Sequence, residues 1–517
     1  MNKLLFPTDR WTRFLLAPAL VFIATLADRN YQTDLWHHLA RGRAIVTEGR
    51  LLDEDRFTYT VNGQPLQDVN WGWQVLFYRL YTVGGLSLVQ TVNSAILAVM
   101  TAVLVVLAWR RSGSLIAAGT AGIFAFFGLW QLLVIRPQTL SLLLFVLLYG
   151  FLEEAGRRRW LLLVPPLIMM VWVNVHGGFP IGLVLIGGYV AAHAIEQWLA
   201  GPQRKQGELS SWLLCLPCSV AATLVNPYGW RVYEYVARTS KAASGRHIDE
   251  WLPPSLDLLT GKIWALSLLL LLIGFAFSRR RPTVREICVL CCFLPLACGS
   301  VRMVAWWLLI CTPILAAQLT DLWPRLRQYD LSDDQPSFGN VLACGVLVFV
   351  MVLSLPWLEA FNPVLSRPER SHRTETDLQA LADRLRAEGR EGRIFTRFAW
   401  GEYMAWSLSP HFTVFMDGRI EIIPDEVWQQ DGAVTRGRAD WQEILDTYDV
   451  DYLVLDASGY HHDLLPLVES SCVWRQVCRC GDAVLFVRDR GSSPRSTVKL
   501  NRQDAKENKK EERAKEL

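Results

Sequence analysis

Asp34 follows the first long apolar run by a few residues and opens the segment Asp34-Leu35-Trp36-His37-His38-Leu39, where its spacing to His37 puts a carboxylate and an imidazole on one helical face. A carboxylate there can deprotonate or position an acceptor group, and it can equally cap the start of a helix. Its company favours the chemical role. His176, in Trp172-Val173-Asn174-Val175-His176-Gly177-Gly178, leaves another apolar run, so Asp34, His37 and His176 together offer the donor set of a divalent metal site or a phosphate site. Taken singly, each histidine also reads as a polar cap facing headgroup water.

Arg136 and Arg302 stand at the ends of further apolar runs. A planar guanidinium there suits the phosphate of a lipid-linked donor, and the ordinary alternative is snorkelling to headgroups. Glu250, in Ile248-Asp249-Glu250-Trp251, belongs to a loop long enough to cover a cavity, while Asp53 and Asp55 form an acidic turn.

These residues are positioned by hydrophobic runs at 14–27, 86–108, 115–135, 138–152, 160–175, 180–199, 212–225, 262–278, 286–301, 303–320 and 339–357, about eleven spans of a polytopic α-helical membrane protein. Asp34, Arg136, His176, Asn226, Glu250 and Arg302 fall at one set of ends. The clusters Trp109-Arg110-Arg111, Arg157-Arg158-Arg159, Arg204-Lys205 and Arg279-Arg280-Arg281 fall at the other. Basic short loops stay in the cytoplasm, which places the first set outside, the N-terminus inside and the C-terminal region outside.

The layout divides into a transmembrane domain, 1–357, with outer loops 28–85 and 226–260, an outer α/β domain, 358–490, and a charged disordered tail, 491–517. In the first outer loop the pattern predicts a helix from Asp34 to near Gly49, an extended stretch Phe57–Val61 with a turn at Asn62-Gly63, and an interfacial helix at Trp71-Gly72-Trp73. In the outer domain, Leu378, Leu381 and Leu385 share a helical face, and Thr413–Met416 and Tyr452–Leu455 read as strands. With 52 basic and 49 acidic side chains the balance gives no reason to expect nucleic acid as a partner. Most of the 11 cysteines sit in apolar runs, and a disulfide among Cys472, Cys478 and Cys480 stays open.

This arrangement resembles the GT-C superfamily of membrane glycosyltransferases, which take sugar from polyprenyl phosphate or pyrophosphate donors. Asp34 with Trp36-His37-His38-Leu39 and Arg43 is similar to the Asp-containing first outer loop of oligosaccharyltransferase catalytic subunits. Phe398-Ala399-Trp400-Gly401-Glu402-Tyr403, followed by Phe415-Met416-Asp417-Gly418-Arg419, is similar to their Trp-Trp-Asp-Tyr-Gly region and the Asp-containing strand after it. The order Trp-Gly-Glu-Tyr departs from that pattern, and the turn Arg136-Pro137-Gln138 lacks the family's second acid pair.

The layout also looks like uncharacterised bacterial membrane proteins of this architecture. The resemblance implies a multi-pass protein of the bacterial inner membrane with a GT-C-like helical fold and a periplasmic C-terminal domain. It implies inverting transfer from a polyprenyl-phosphate-linked sugar to a glycan, lipid or protein acceptor. Carried over, Asp34 would be the catalytic or metal-binding acid; on the reading of the residues it is the base or acceptor-orienting group, Arg302, Arg136 and His176 are the phosphate ligands, and Glu250, Trp400, Tyr403, Asp417 and Arg419 are the lid and acceptor-facing groups. The alternative is a non-catalytic protein that binds and hands on a lipid-linked glycan during envelope assembly. A carrier needs cations around phosphate but has little use for the Asp34 carboxylate.

Overall fold

The computed structural model describes residues 9–27, 34–200, 207–246, 248–327, 337–362, 370–419 and 421–489. The tail expected at 491–517 and His247 of the second outer loop lie outside them.

Every apolar run folds as a helix. Among the described residues seven are long and apolar enough to span a bilayer: α1 (Asp9–Ala27), α3 (Trp71–Ser112), α4 (Leu115–Leu129), α5 (Gln138–Ala155), α7 (Pro180–Ala200), α10 (Leu259–Phe277) and α12 (Val301–Leu322). The other runs form shorter helices, α6 (Val164–Val173), α8 (Gly207–Ala222), α11 (Val284–Gly299) and α13 (Phe338–Leu353). The chain is thus a polytopic membrane protein with a small C-terminal sheet. At its centre, α12 packs against α3, α4, α10 and α11, and Trp306, Trp307, Leu308, Leu309 and Ile310 are all buried. A helix apolar around its whole circumference belongs inside a bundle.

The loop between the first two spans contains α2 (Asp34–Glu48), closed at Gly49, whose φ of +67° suits glycine. One face of α2 packs on α3 and the other on α15 (Phe398–Leu408). Leu35, Leu39 and Met404 are fully buried in this joint, each worth roughly 1.5–3 kcal/mol against exposure. The tryptophans do not lie at a lipid interface as expected. Trp73 is fully buried, stacked on Phe77 at 3.9 Å, and Trp71 donates to Asn174 Oδ1 at 3.2 Å. Packing on α2 takes that helix face away from lipid. Gly85, at φ +62°, then breaks α3 so that its remainder can run into the bundle.

The sheet has the order β2-β1-β3-β5-β4, with β1 (Gly392–Thr396) parallel to β2 (Phe412–Val414) and β3 (Tyr452–Asp456), and β5 (Ala483–Arg488) antiparallel to β3 and β4 (Trp474–Cys480). Tyr452, Val454 and Leu485 point to the layer containing α2, α14 (Arg370–Ala387) and α15, while Leu453, Leu455 and Phe486 point to α16 (Asp425–Thr435), α17 (Trp441–Thr447) and α18 (Leu464–Ser470). The predicted extended stretch lies along β2: Val414 N–H donates to Phe57 O at 3.0 Å and Tyr59 N–H to Val414 O at 3.1 Å. Among the described residues all eleven cysteines, including Cys472, Cys478 and Cys480, are free.

Candidate active site

Because α2 is clamped between α3 and α15, its polar face is carried to the junction of the helix bundle and the sheet. A cavity of about 570 Å³ lies there, and Asp34, Arg136, His176, Glu250 and Arg302, drawn from five separate segments, all line it.

Arg136, just before α5, bridges two carboxylates. It reaches Asp34 Oδ2 at 3.5 Å and Glu250 Oε1 at 2.9 Å. Burial raises the Glu250 pKa, but Arg136 and Arg302 outweigh it and hold the acid below its ordinary value. The loop carrying Glu250 is pinned to the start of α12: Ser300 Oγ donates to Glu250 O at 2.8 Å and Val301 N–H to Leu252 O at 2.8 Å. Arg302, on the first turn of α12, is differently placed. Its guanidinium lies 5.4 Å from the centre of the Trp251 ring, and among the described residues no carboxylate comes within ion-pair distance of it. Its charge is left for the cavity.

His176 is oriented by a relay. Trp172 Nε1–H donates to Ser141 Oγ at 2.7 Å, so the Ser141 hydroxyl donates onward to His176 Nδ1, also at 2.7 Å, where Gly178 N–H converges at 3.2 Å. With Nδ1 occupied as an acceptor, the proton sits on Nε2 and the ring is a neutral donor. Burial, reinforced by Arg302 and Arg136, lowers the His176 pKa and keeps the ring neutral.

His176 therefore does not join the metal-type cluster expected with Asp34 and His37. Glu402, on α15, does. Ligand atoms of Asp34, His37 and Glu402 lie within 4.8 Å of one another. His37 Nδ1 is 3.1 Å from Glu402 Oε2, yet among the described residues neither Glu402 oxygen nor His37 Nδ1 completes a well-aligned hydrogen bond. Burial, with Asp34 and Asp417 nearby, pushes the Glu402 pKa well up, and burial with His38, Arg41 and Arg419 nearby pushes His37 well down. A buried acid and imidazole short of well-aligned partners, beside a second carboxylate, fit a divalent cation. Gly418 makes the approach feasible, since a Cβ there would lie 2.1 Å from Glu402 Oε1.

The remaining expected residues divide. Arg419 reaches the cavity wall but is held by Asp55 and, at 2.8 Å, by Asp417, all three buried. This triad ties the first outer loop to the sheet. Trp400 and Tyr403 do not face the cavity: they are 5% and 7% exposed, and Tyr403 stands edge-on to Trp36 with ring centres 5.0 Å apart. They pack α15 onto α2. Asp53 stays on the surface beside Arg50, and Asn226 orders its own turn by accepting from Tyr228 N–H at 2.7 Å. Sequence reasoning missed Glu402, Gln138 and Glu421. Gln138 is buried on the cavity wall with neither amide atom bonded among the described residues, and Glu421 accepts from Tyr235 at 3.3 Å.

No protein-family model matches the sequence, and no curated protein matches it. Solved structures do resemble the fold. The archaeal oligosaccharyltransferase AglB of Archaeoglobus fulgidus, in complex with an inhibitory peptide and a dolichol-phosphate, superposes with a TM-score of 0.55 at 12% identity, covering 94% of this chain and 75% of its own. The apo form of the Archaeoglobus fulgidus oligosaccharyltransferase gives 0.55 at 11% identity with the same coverage. Arabinofuranosyltransferase AftD from Mycobacteria gives 0.55 at 14% identity, again over 94% of this chain but only 41% of that protein, so this chain spans less than half its length. At these identities the likeness is one of fold.

Proposed function

We propose that this chain is a membrane glycosyltransferase that moves a sugar from a polyprenyl-phosphate-linked donor to a glycan, lipid or protein acceptor. In this reading residues 1–357 form the transmembrane domain and 358–490 the periplasmic domain of a bacterial inner-membrane protein whose N-terminus is cytoplasmic. The observation that carries it is the convergence of Asp34, Arg136, His176, Glu250 and Arg302 on one cavity at the ends of the spans. Acids beside unspent cations suit a reaction that takes a proton at one point and releases a phosphate at another.

The step is a single displacement with inversion. Asp34 takes the proton of the acceptor as its heteroatom bonds to the anomeric carbon, and the bond from that carbon to the phosphate oxygen breaks, with the electron pair leaving on the lipid phosphate. Arg302, together with the Nε2–H of His176, stabilises that charge. Arg136 lies 3.5 Å from Asp34 Oδ2, which fixes the orientation of that carboxylate, and it holds Glu250 and its loop against the cavity. A second carboxylic acid to protonate the leaving group is dispensable because phosphate leaves as an anion. Asp34, His37 and Glu402 would hold a divalent cation, which when bound would supply positive charge beside the acceptor.

The test is transfer of radiolabelled sugar from polyprenyl-phosphate donors in membranes containing the wild type or Arg302→Gln at equal abundance. The wild type transfers sugar and the variant shows a lower kcat/KM. Absence of transfer from every donor, with intact binding of the lipid-linked glycan, would favour the carrier reading instead.

A further inference from the structure

A second cavity, of about 560 Å³, opens at the opposite end of the bundle, among the ends of α3, α5 and α7 and the start of α11. It reaches inward as far as Pro313, roughly 13 Å from the end of α12 at 1.5 Å per residue. Ionisable groups that line a cavity in a membrane protein mark a functional site by default.

The lining is unbalanced. Arg110, Arg111, Arg157, Arg280 and Arg285 face Glu153, Glu154 and Glu196. Arg111 is taken by Glu153 at 3.3 Å and by Glu286. Arg285 meets Glu196 at 3.3 Å, across the backbone of Gly156, where a Cβ would come within 3.1 Å of its Nη1. Arg280 has Glu286 at 3.8 Å, which Arg111 already holds, and donates to Arg111 O at 3.4 Å. The buried Nε atoms of Arg111 and Arg285 find no aligned acceptor among the described residues. Guanidiniums in excess around a polar hollow at a membrane face match a phosphate group better than any other common ligand.

We propose that this second cavity binds a phosphate group, supplied either by an anionic phospholipid headgroup or by free phosphate. Arg280 and Arg285 supply the positive contacts, and Glu153 limits affinity by sharing the space. The proposal is independent of the reaction assigned to the first cavity.

Equilibrium binding of 32P-labelled dihexanoyl phosphatidylglycerol and of 32P-labelled inorganic phosphate to the full-length protein in phosphatidylcholine nanodiscs tests it. Saturable binding is expected, weakened about tenfold or more in Arg280→Gln and tightened in Glu153→Gln, since one variant removes a charge-assisted contact and the other a repulsion. Phosphatidylglycerol binding that inorganic phosphate does not displace assigns the lipid headgroup, and saturable binding of inorganic phosphate assigns the free ion. Saturation by neither ligand, or the same affinity in the wild type and both variants, overturns the proposal. Should Arg280→Gln not fold, the tightening by Glu153→Gln still decides the question.

Discussion

The two ends of this helix bundle hold cavities of nearly equal volume, about 570 and 560 Å³, with opposite arrangements of charge. At the end facing the sheet the pairing is selective: Arg136 holds two acids, Arg302 holds none, and the His37–Glu402 contact leaves both groups short of partners. At the far end the arginines outnumber the glutamates: Arg110 lies on Glu154, Arg111 on Glu153 and Glu286, and Arg285 on Glu196, while Arg280 shares Glu286 with Arg111. Paired charges orient helices, and a guanidinium in excess can hold an anion. A site that must pass a proton and receive a leaving group needs both signs close together but not fully spent on each other.

The comparison breaks most visibly at the buried clamp beside the first cavity. Arg419→Ala leaves Asp55 and Asp417 buried with no cation between them, and should cost about 3–5 kcal/mol, read as a lowered midpoint of thermal unfolding of the purified protein. A midpoint within a degree of wild type would mean that the outer loop is not fastened to the sheet through this triad.

A pH effect comes next, from a buried acid in neither cavity. Burial lifts the Asp431 carboxyl to about 7, and its Oδ1 has no partner among the described residues. The folded protein therefore holds this proton more tightly than the unfolded chain, so the contribution is favourable below pH 4 and fades as pH rises through 7. Asp431→Asn should gain on the wild type between pH 5 and pH 8 by up to about 3 kcal/mol, measured as the difference in unfolding midpoints at the two pH values. Parallel curves for the two proteins would contradict the assignment.

Within the first cavity, Arg302→Gln should lower kcat/KM for sugar transfer about tenfold to a hundredfold, the worth of one charge-assisted contact to a phosphate. Arg158→Gln, at the far end, should change both transfer and stability by less than about 0.5 kcal/mol, because Arg158 is 66% exposed and lies 3.8 Å from Glu154. Equal losses in these two variants would erase the distinction between the ends.

How much of this was legible beforehand depends on the range of the contacts. The apolar runs were readable because bilayer length and the basic clusters act locally along the chain, and the same signals put Asp34, Arg136, His176, Glu250 and Arg302 on one side. The turn at Gly63, with φ +76°, and the Leu378, Leu381 and Leu385 face followed from local rules as well. Glu402 was not legible. It comes to His37 only because α15 docks on α2, and no pattern within Trp400–Tyr403 announces which side chain turns towards the bundle. The same docking buries Trp400 and Tyr403, and the packing of α3 on α2 buries Trp73, although their residue types alone suggested ligand or lipid contact. His176 reads as a metal ligand in the sequence, but Ser141 Oγ, from another helix, and Gly178 N–H occupy its Nδ1.

The central claim is that the Asp34 carboxylate performs chemistry at the first cavity. Asp34→Asn keeps the shape and removes the charge, so transfer of radiolabelled sugar from polyprenyl-phosphate donors should fall about a hundredfold to ten-thousandfold in membranes with equal protein abundance. Undiminished transfer by Asp34→Asn would remove Asp34 from the reaction and contradict the account.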